Sequence, residues 1–442
     1  MTAREIALGV VRDVFPANAM HERGAAEALD YRLRKTNLDR RDRAFATELA
    51  YGAIKMRRAL DWRLDPFIGA RAATLPPATR EVLRLAIYEL AYTRADVHAT
   101  VFEWVNLARK FGHTGVANLT NAVLRRYLDA PTPDPQPDAF SSEDDYLGAI
   151  HSLPSWLVRQ WRETFAGWTA DICAAVNAPP AAAITANLLQ GSAADVRERL
   201  AEGGIQCAAS GFVPESILVE GGMSRVAEAG GADVAWWTQS ESSAMAVDVL
   251  NPQPGESIFD VCSGRGNKTL QIAGRLKGEG AIVCLERDER KIETLRRRTE
   301  AAGVAVAMVA ADAGEHTFEP PMQFDRVLID APCSGTGLVA RHAESRWKKS
   351  SDDGERLSQT QRAILERVST SVREGGVLVY AVCSTDPRET TEVVRWFLSR
   401  HNFERGLVPS AYEQLLAPDG DIVVAPGIEG RDGFFIARLQ RR

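Results

Sequence analysis

Ile258-Phe-Asp-Val-Cys-Ser-Gly-Arg-Gly-Asn-Lys-Thr-Leu270 reads as a strand that runs into a glycine loop and then into a helix. The two glycines, Gly264 and Gly266, let a ligand approach the backbone, and the start of the helix offers free N–H groups. The spacing is neither that of a GxxxxGK[ST] phosphate loop nor that of the GxGxxG dinucleotide fingerprint, because position 269 is Thr. On either side the same alternation continues. Strands are predicted at 257–262, 281–286, 305–311, 324–330 and 376–381, with a closing strand at 433–439. Helices are predicted at 289–300, 355–373 and 388–399. This succession predicts a doubly wound sheet over 251–442. Ligands of such sheets bind outside the carboxyl ends of the strands.

That edge is acidic. Asp260, Glu286, Asp312 and Asp330 stand at or just beyond the ends of the first four predicted strands. Glu286 follows the loop by about twenty residues, where an acid accepts hydrogen bonds from ribose hydroxyls. Asp312 is placed to meet an adenine edge. An acidic, glycine-lined pocket suits a cationic nucleoside better than a polyphosphate, and S-adenosylmethionine carries a sulfonium. The competing reading is that the acids cap helices. Lys268 likewise reads either as a contact for the cofactor carboxylate or as a solvated first-turn lysine.

Two cysteines close the fourth and fifth predicted strands: Cys333 in Asp330-Ala-Pro-Cys-Ser-Gly-Thr-Gly337 and Cys383 in Leu378-Val-Tyr-Ala-Val-Cys-Ser-Thr385. If those strands are neighbours, about 4.8 Å apart, both sulfurs reach one cluster of substrate atoms. The bland alternative for each is a small buried hydrophobe. Cys173, Cys207, Cys262 and Cys284 read as structural. No CxxC pair or His-Cys cluster occurs, so no metal site is expected, and scattered cysteines suggest reduced thiols in a cytoplasm.

The remaining sequence adds a partner. The chain has 442 residues, 45% hydrophobic and 25% charged, which argues for two or three globular domains. It has no apolar run of the roughly 18 residues a membrane span needs, and with Glu5 and no apolar signal core at its start no export is expected. The net charge is −6, yet residues 1–129 hold 21 Lys+Arg against 15 Asp+Glu, or +6, leaving −12 for the rest. A basic module on an acidic body fits a polyanion held at one end, with a solvated helical surface as the alternative. Residues 3–128 show helical periodicity, with breaks at Pro16, Pro66, Pro76-Pro77 and Gly112. Residues 130–145 read as a proline-rich acidic linker, and 146–250 as a small α+β subdomain.

The cysteine motifs, Arg341-His342 with Arg346-Trp347, and Asp432-Gly-Phe-Phe-Ile-Ala-Arg438 together resemble the RNA cytosine-5 methyltransferases of the RsmB (Sun/Fmu) group, which act on 16S ribosomal RNA. The resemblance implies an all-α NusB-like RNA-binding domain at 1–129, the small α+β subdomain, and an α/β Rossmann-like class I methyltransferase domain. It implies Cys383 as the nucleophile toward carbon 6 of cytosine and Cys333 as the residue that assists release. It implies S-adenosylmethionine held by Cys262, Ser263, Gly264, Arg265, Gly266, Asn267 and Lys268, together with Glu286, Asp312 and Asp330. The RNA would be 16S rRNA, unassembled or partly assembled, and nothing demands more than a monomer. Arg341, His342, Arg346, Trp347 and Lys348 read as a substrate-facing loop, with Trp347 as core the rival.

The family's first motif reads Cys-Ala-Ala-Pro-Gly-Gly-Lys-Thr, where this chain has Cys262-Ser-Gly-Arg-Gly-Asn-Lys-Thr269. The departure is expected to alter loop stiffness and charge. Val382 stands where the family has Thr before the nucleophile. An RNA-binding regulatory protein with a weak or inactive sheet domain therefore stays open as the alternative. A DNA cytosine methyltransferase would need only the Pro-Cys thiol, so the second cysteine motif counts against it.

Overall fold

The computed structural model describes residues 1–16, 22–69, 75–232 and 234–442. Residues 1–177 with 342–349 form one unit, and 178–341 with 350–442 form another.

The first unit is helical. Thr2 closes a capping box over Ala3–Val14, and the Asp39 and Asp96 carboxylates cap Arg40–Lys55 and Val97–Phe111. Ile6, Val10, Leu49, Leu60, Leu85 and Trp104 are buried in its core. The fully buried Glu89 is an exception among them; it accepts from Arg4 Nε (2.9 Å), Thr100 Oγ1 (2.8 Å) and Trp104 Nε1 (2.9 Å). Pro66 does not break its helix, which runs Arg57–Ile68; a proline in the last turn disturbs little helix beyond it. The proline-rich stretch lies against this helix. Trp62 Nε1 donates to Pro133 O at 3.0 Å, and Arg63 pairs with Asp134 at 2.6 Å. Helices Glu143–Ile150, Ser155–Phe165 and Thr169–Ala175 also fall in this unit, whereas the sequence reading grouped 146–177 with the α+β segment.

The segment 342–349 is part of this unit too, and it corrects a sequence expectation. Arg346 is buried and donates to Asn177 Oδ1 and Val176 O, each at 2.7 Å. Trp347 Nε1 donates to Ile54 O at 2.7 Å, and Lys348 pairs with Glu22 at 2.7 Å. Backbone carbonyls that need donors take up Arg346, Trp347 and Lys348, whereas His342 is exposed. In the other unit, Arg341 pairs with Asp432 at 3.2 Å.

The second unit holds two sheets. β1 (Ala182–Ala186), β2 (Cys207–Ala209), β3 (Ser216–Val219) and β4 (Trp236–Thr238) form an antiparallel sheet in the order β2-β3-β1-β4. The larger sheet contains β5 (Ser257–Val261), β6 (Ala281–Glu286), β7 (Ala307–Ala310), β8 (Phe324–Asp330) and β9 (Val372–Val382), followed by β10 (Phe403–Arg405), β11 (Ile422–Val424) and β12 (Phe434–Arg441). Its order is β10-β12-β9-β8-β5-β6-β7, with β11 paired to β12. The five strands β5 to β9 are mutually parallel, and β12 enters antiparallel to β9.

Alternation along the strands builds a core on each face. Ile258, Cys284, Leu328 and Val379 pack with Ala244 and Ile272 of helices Glu241–Leu250 and Asn267–Arg275. Phe259, Leu285, Ile329 and Tyr380 pack with Leu365 and Phe397 of helices Asp352–Val368 and Thr391–Leu398. The order reverses between β5 and β8, and the crevice at such a switch point is where the site lies.

Candidate active site

The register of β8 and β9 sets Asp330 beside Ala381 and so carries both cysteine loops to one edge. Cys333 Sγ and Cys383 Sγ lie 3.2 Å apart, both half-buried. Backbone bonds hold the loops together: Ala331 N donates to Ala381 O and Gly337 N to Cys383 O, each at 3.0 Å. The Cys383 sulfur and burial together push the Cys333 thiol well up, so Cys333 keeps its proton to high pH.

Under these loops sits a residue the sequence reading missed. Glu389, fully buried, receives Ser334 N (2.9 Å) and Gln361 Nε2 (2.9 Å) on Oε1. Its Oε2 receives Ser384 Oγ (2.6 Å) and Ser334 Oγ. Ser334 and Ser384 each follow a cysteine, so the recurrence of Cys-Ser in both motifs was the available signal for a common partner. Burial pushes the Glu389 carboxyl up and the hydrogen bonds pull it down, with burial the larger effect.

Beside the thiols a cleft of about 240 Å³ opens among Cys262, Gly264, Glu286, Asp312, Asp330 and Pro332, with Leu285 and Ile364 as apolar walls. Gly266 adopts φ +87°, and a Cβ there would meet Leu295 Cδ1 at 2.4 Å. Cys262, at φ 61°, bends the chain out of β5, and its thiol is pushed up by burial and by the surrounding carboxylates. Ser263 N donates to Leu285 O at 3.0 Å. The altered loop residues are held in place: Asn267 donates to Thr238 O (3.0 Å) and accepts from Arg298 (2.6 Å). Arg298 also donates to Arg265 O at 2.8 Å, while the Arg265 side chain is exposed.

The acids divide by what already occupies them. Glu286 accepts Gly264 N, Arg287 N and Asp288 N, all at 3.0 Å, so one of about four carboxylate acceptor sites stays open. Asp312 accepts Gly314 N (2.9 Å) and Arg287 (3.1 Å), bonds that hold its carboxyl below the usual range, and it keeps two sites. Asp330 pairs with Lys268 Nζ at 2.6 Å. Asp260 lies beneath the loop, fully buried; Thr269 donates to Oδ2 at 2.6 Å and Oδ1 has no partner among the described residues. Burial pushes its carboxyl up to about 7.

Three family models match the chain: the NusB family over residues 1–129, a ferredoxin-like domain of RsmF/B-like methyltransferases over 153–225, and 16S rRNA methyltransferase RsmB/F over 247–440. Ribosomal RNA small subunit methyltransferase B of Thermus thermophilus is 34% identical, covering 100% of this chain and 98% of its own. The chain belongs to the ribosomal RNA small subunit methyltransferase B family. A probable member from Synechocystis is 30% identical over the full length of both chains. The crystal structure of PH0851 shares the fold, with a TM-score of 0.82 at 24% identity over 100% of this chain and 99% of that one. Family membership agrees with the expected architecture: a NusB helical region, a ferredoxin-like region and a Rossmann-like sheet. No helix among the described residues is long and apolar enough to cross a membrane.

Proposed function

We propose that this protein transfers a methyl group from S-adenosylmethionine to carbon 5 of a cytosine in small-subunit ribosomal RNA, through a covalent bond between Cys383 and carbon 6. One observation carries this reading: two thiols 3.2 Å apart beside an acidic, glycine-lined cleft at the carboxyl edge of a parallel sheet. The names of the curated relatives supply the RNA class.

The cleft fits the cofactor. Its carboxylates complement a sulfonium, Leu285 and Ile364 offer apolar walls to an adenine ring, and Glu286 and Asp312 keep open acceptor sites for hydroxyl and amino donors. When bound, S-adenosylmethionine supplies an electrophilic methyl group. The glycine loop and Lys268 would hold it at this edge.

Carbon 5 of cytosine is a poor nucleophile until a group adds to carbon 6. Cys383 thiolate adds there, forming the S–C6 bond and moving the ring electrons so that carbon 5 becomes nucleophilic. Carbon 5, made nucleophilic by Cys383, would take the methyl group that bound S-adenosylmethionine supplies, the S–CH₃ bonding pair staying on sulfur. The carbon 5 proton then passes to water, its bonding pair restores the ring double bond, and Cys383 leaves as its thiolate. Cys333, held protonated beside it, can give its proton to the departing Cys383 sulfur during release. The target base must leave its stack to reach this edge.

The test is incubation with labelled S-adenosylmethionine and unmodified 16S RNA, followed by mapping 5-methylcytosine at nucleotide resolution. Label on cytosine carbon 5 supports the reading. Transfer to another base or atom, or none with RNA bound, overturns it.

A further inference from the structure

Glu389 lies outside the cofactor cleft, yet it joins the two cysteine loops. Four donors converge on it: the Ser334 amide, the hydroxyls of Ser334 and Ser384, and the Gln361 amide. A carboxylate has about four acceptor sites, so this arrangement fills it, and a proton on either oxygen would displace one donor. Gln361 also donates to Pro332 O at 3.0 Å, which extends the same grip to the residue before Cys333. A second layer fixes Ser384: Asp386 N donates to its Oγ at 3.1 Å, and Thr336 Oγ1 lies 3.3 Å away. The Tyr380 hydroxyl donates to Glu389 O at 2.6 Å, anchoring the carboxylate's own backbone to β9.

We propose that Glu389 is a positioning residue for methyl transfer, its carboxylate fixing the Cys333 and Cys383 thiols at their working separation. The inference rests on the reading of those thiols given above. Each sulfur is one residue from a serine bound to this single group, so a shift of Glu389 moves both thiols. Misplacing reacting groups by an ångström costs roughly a hundredfold in rate. The carboxylate also adds negative charge near Cys333, in the same direction as Cys383 and burial. Tyr380, whose own hydroxyl burial pushes well up, and Arg388, whose guanidinium feels the Glu389 charge, are the titratable groups that interact with it beside Cys333 among the described residues.

The decisive variant is Glu389→Gln in the full chain, with Ser384→Ala beside it. The amide keeps the shape but brings its own donors to a point where four already converge. Expected are a kcat lowered at least about tenfold, KM values for S-adenosylmethionine and RNA close to the parent's, and alkylation of Cys333 by iodoacetamide shifted to lower pH. Ser384→Ala keeps the charge, so kcat falls while the alkylation profile stays. Parental kcat in Glu389→Gln, a raised cofactor KM, or an unmoved profile overturns the proposal. Should Glu389→Gln fail to fold, Ser384→Ala decides, and parental kcat overturns it. If the parent itself transfers no methyl, the reading of the thiols fails, and the alkylation profile still decides on Glu389.

Discussion

Lys268 Nζ lies 2.6 Å from Asp330 Oδ2, so the helix after the glycine loop and the start of the Pro-Cys loop meet in one ion pair. Lys268 is nearly buried, whereas Asp330 is one-third exposed and faces the cleft. Lys268→Met leaves Asp330 unpaired and removes the cation proposed to meet the cofactor's carboxylate. Affinity for S-adenosylmethionine should fall at least about tenfold, or ~1.4 kcal/mol, by calorimetry. Unchanged affinity would separate Lys268 from cofactor binding.

The two thiols should fail differently when removed one at a time. Cys383→Ala is expected to abolish the covalent RNA–protein species, while Cys333→Ala should accumulate it, because release is then impaired. Denaturing gels with labelled RNA distinguish the two. Equal behaviour of both variants would contradict the assigned roles.

Sulfurs 3.2 Å apart are in van der Waals contact, and a small side-chain rotation would bring them to the ~2.05 Å of a disulfide. Hydrogen peroxide should convert the pair to a disulfide, both thiol hydrogens leaving in two molecules of water. The protein mass should drop by about 2 Da, activity should be lost, and dithiothreitol should restore both. Either single Cys→Ala variant should show no such reversible mass change.

Asp260 should make stability depend on pH. Its carboxyl is raised to about 7 by full burial, against roughly 3.9 in an unfolded chain. Between those values the folded state holds the proton that the unfolded state has released, so stability falls as pH rises from about 4 to 7 and then levels. Asp260→Asn, which can still accept from Thr269, should flatten this trend in urea unfolding measured across that range. An unaltered slope would show that another group titrates there.

Much of the sheet was legible because its strands announce themselves locally. The run 377–382 is apolar on both faces, and the residue that follows it, Cys383, is one of those that meet at the carboxyl edge. Three-residue strands at Cys207, Trp236, Phe403 and Ile422 carry no period to read; pairing with longer strands makes them. Arg346 and Trp347 looked like an RNA-facing loop because composition cannot tell a donor aimed at a base from one aimed at a buried carbonyl. Glu289, Glu355 and Glu389 look alike in the sequence. Only the meeting of Ser334 and Ser384, fifty residues apart, marks the last of them.

The placement of β12 has a temporal consequence. It sits between β9 on one side and β10 and β11 on the other, and its residues are the last of the sheet to be synthesised. At roughly 5–20 residues per second, the ~50 residues separating β9 from β12 take several seconds to emerge. Through that interval β9, which ends at Val382 beside Cys383, is an open, apolar edge, the kind that pairs with other chains. Ordering of Cys383 therefore waits on the ribosome, and a nascent chain stalled before Phe434 holds both cysteines but lacks the strand that closes the edge beside them.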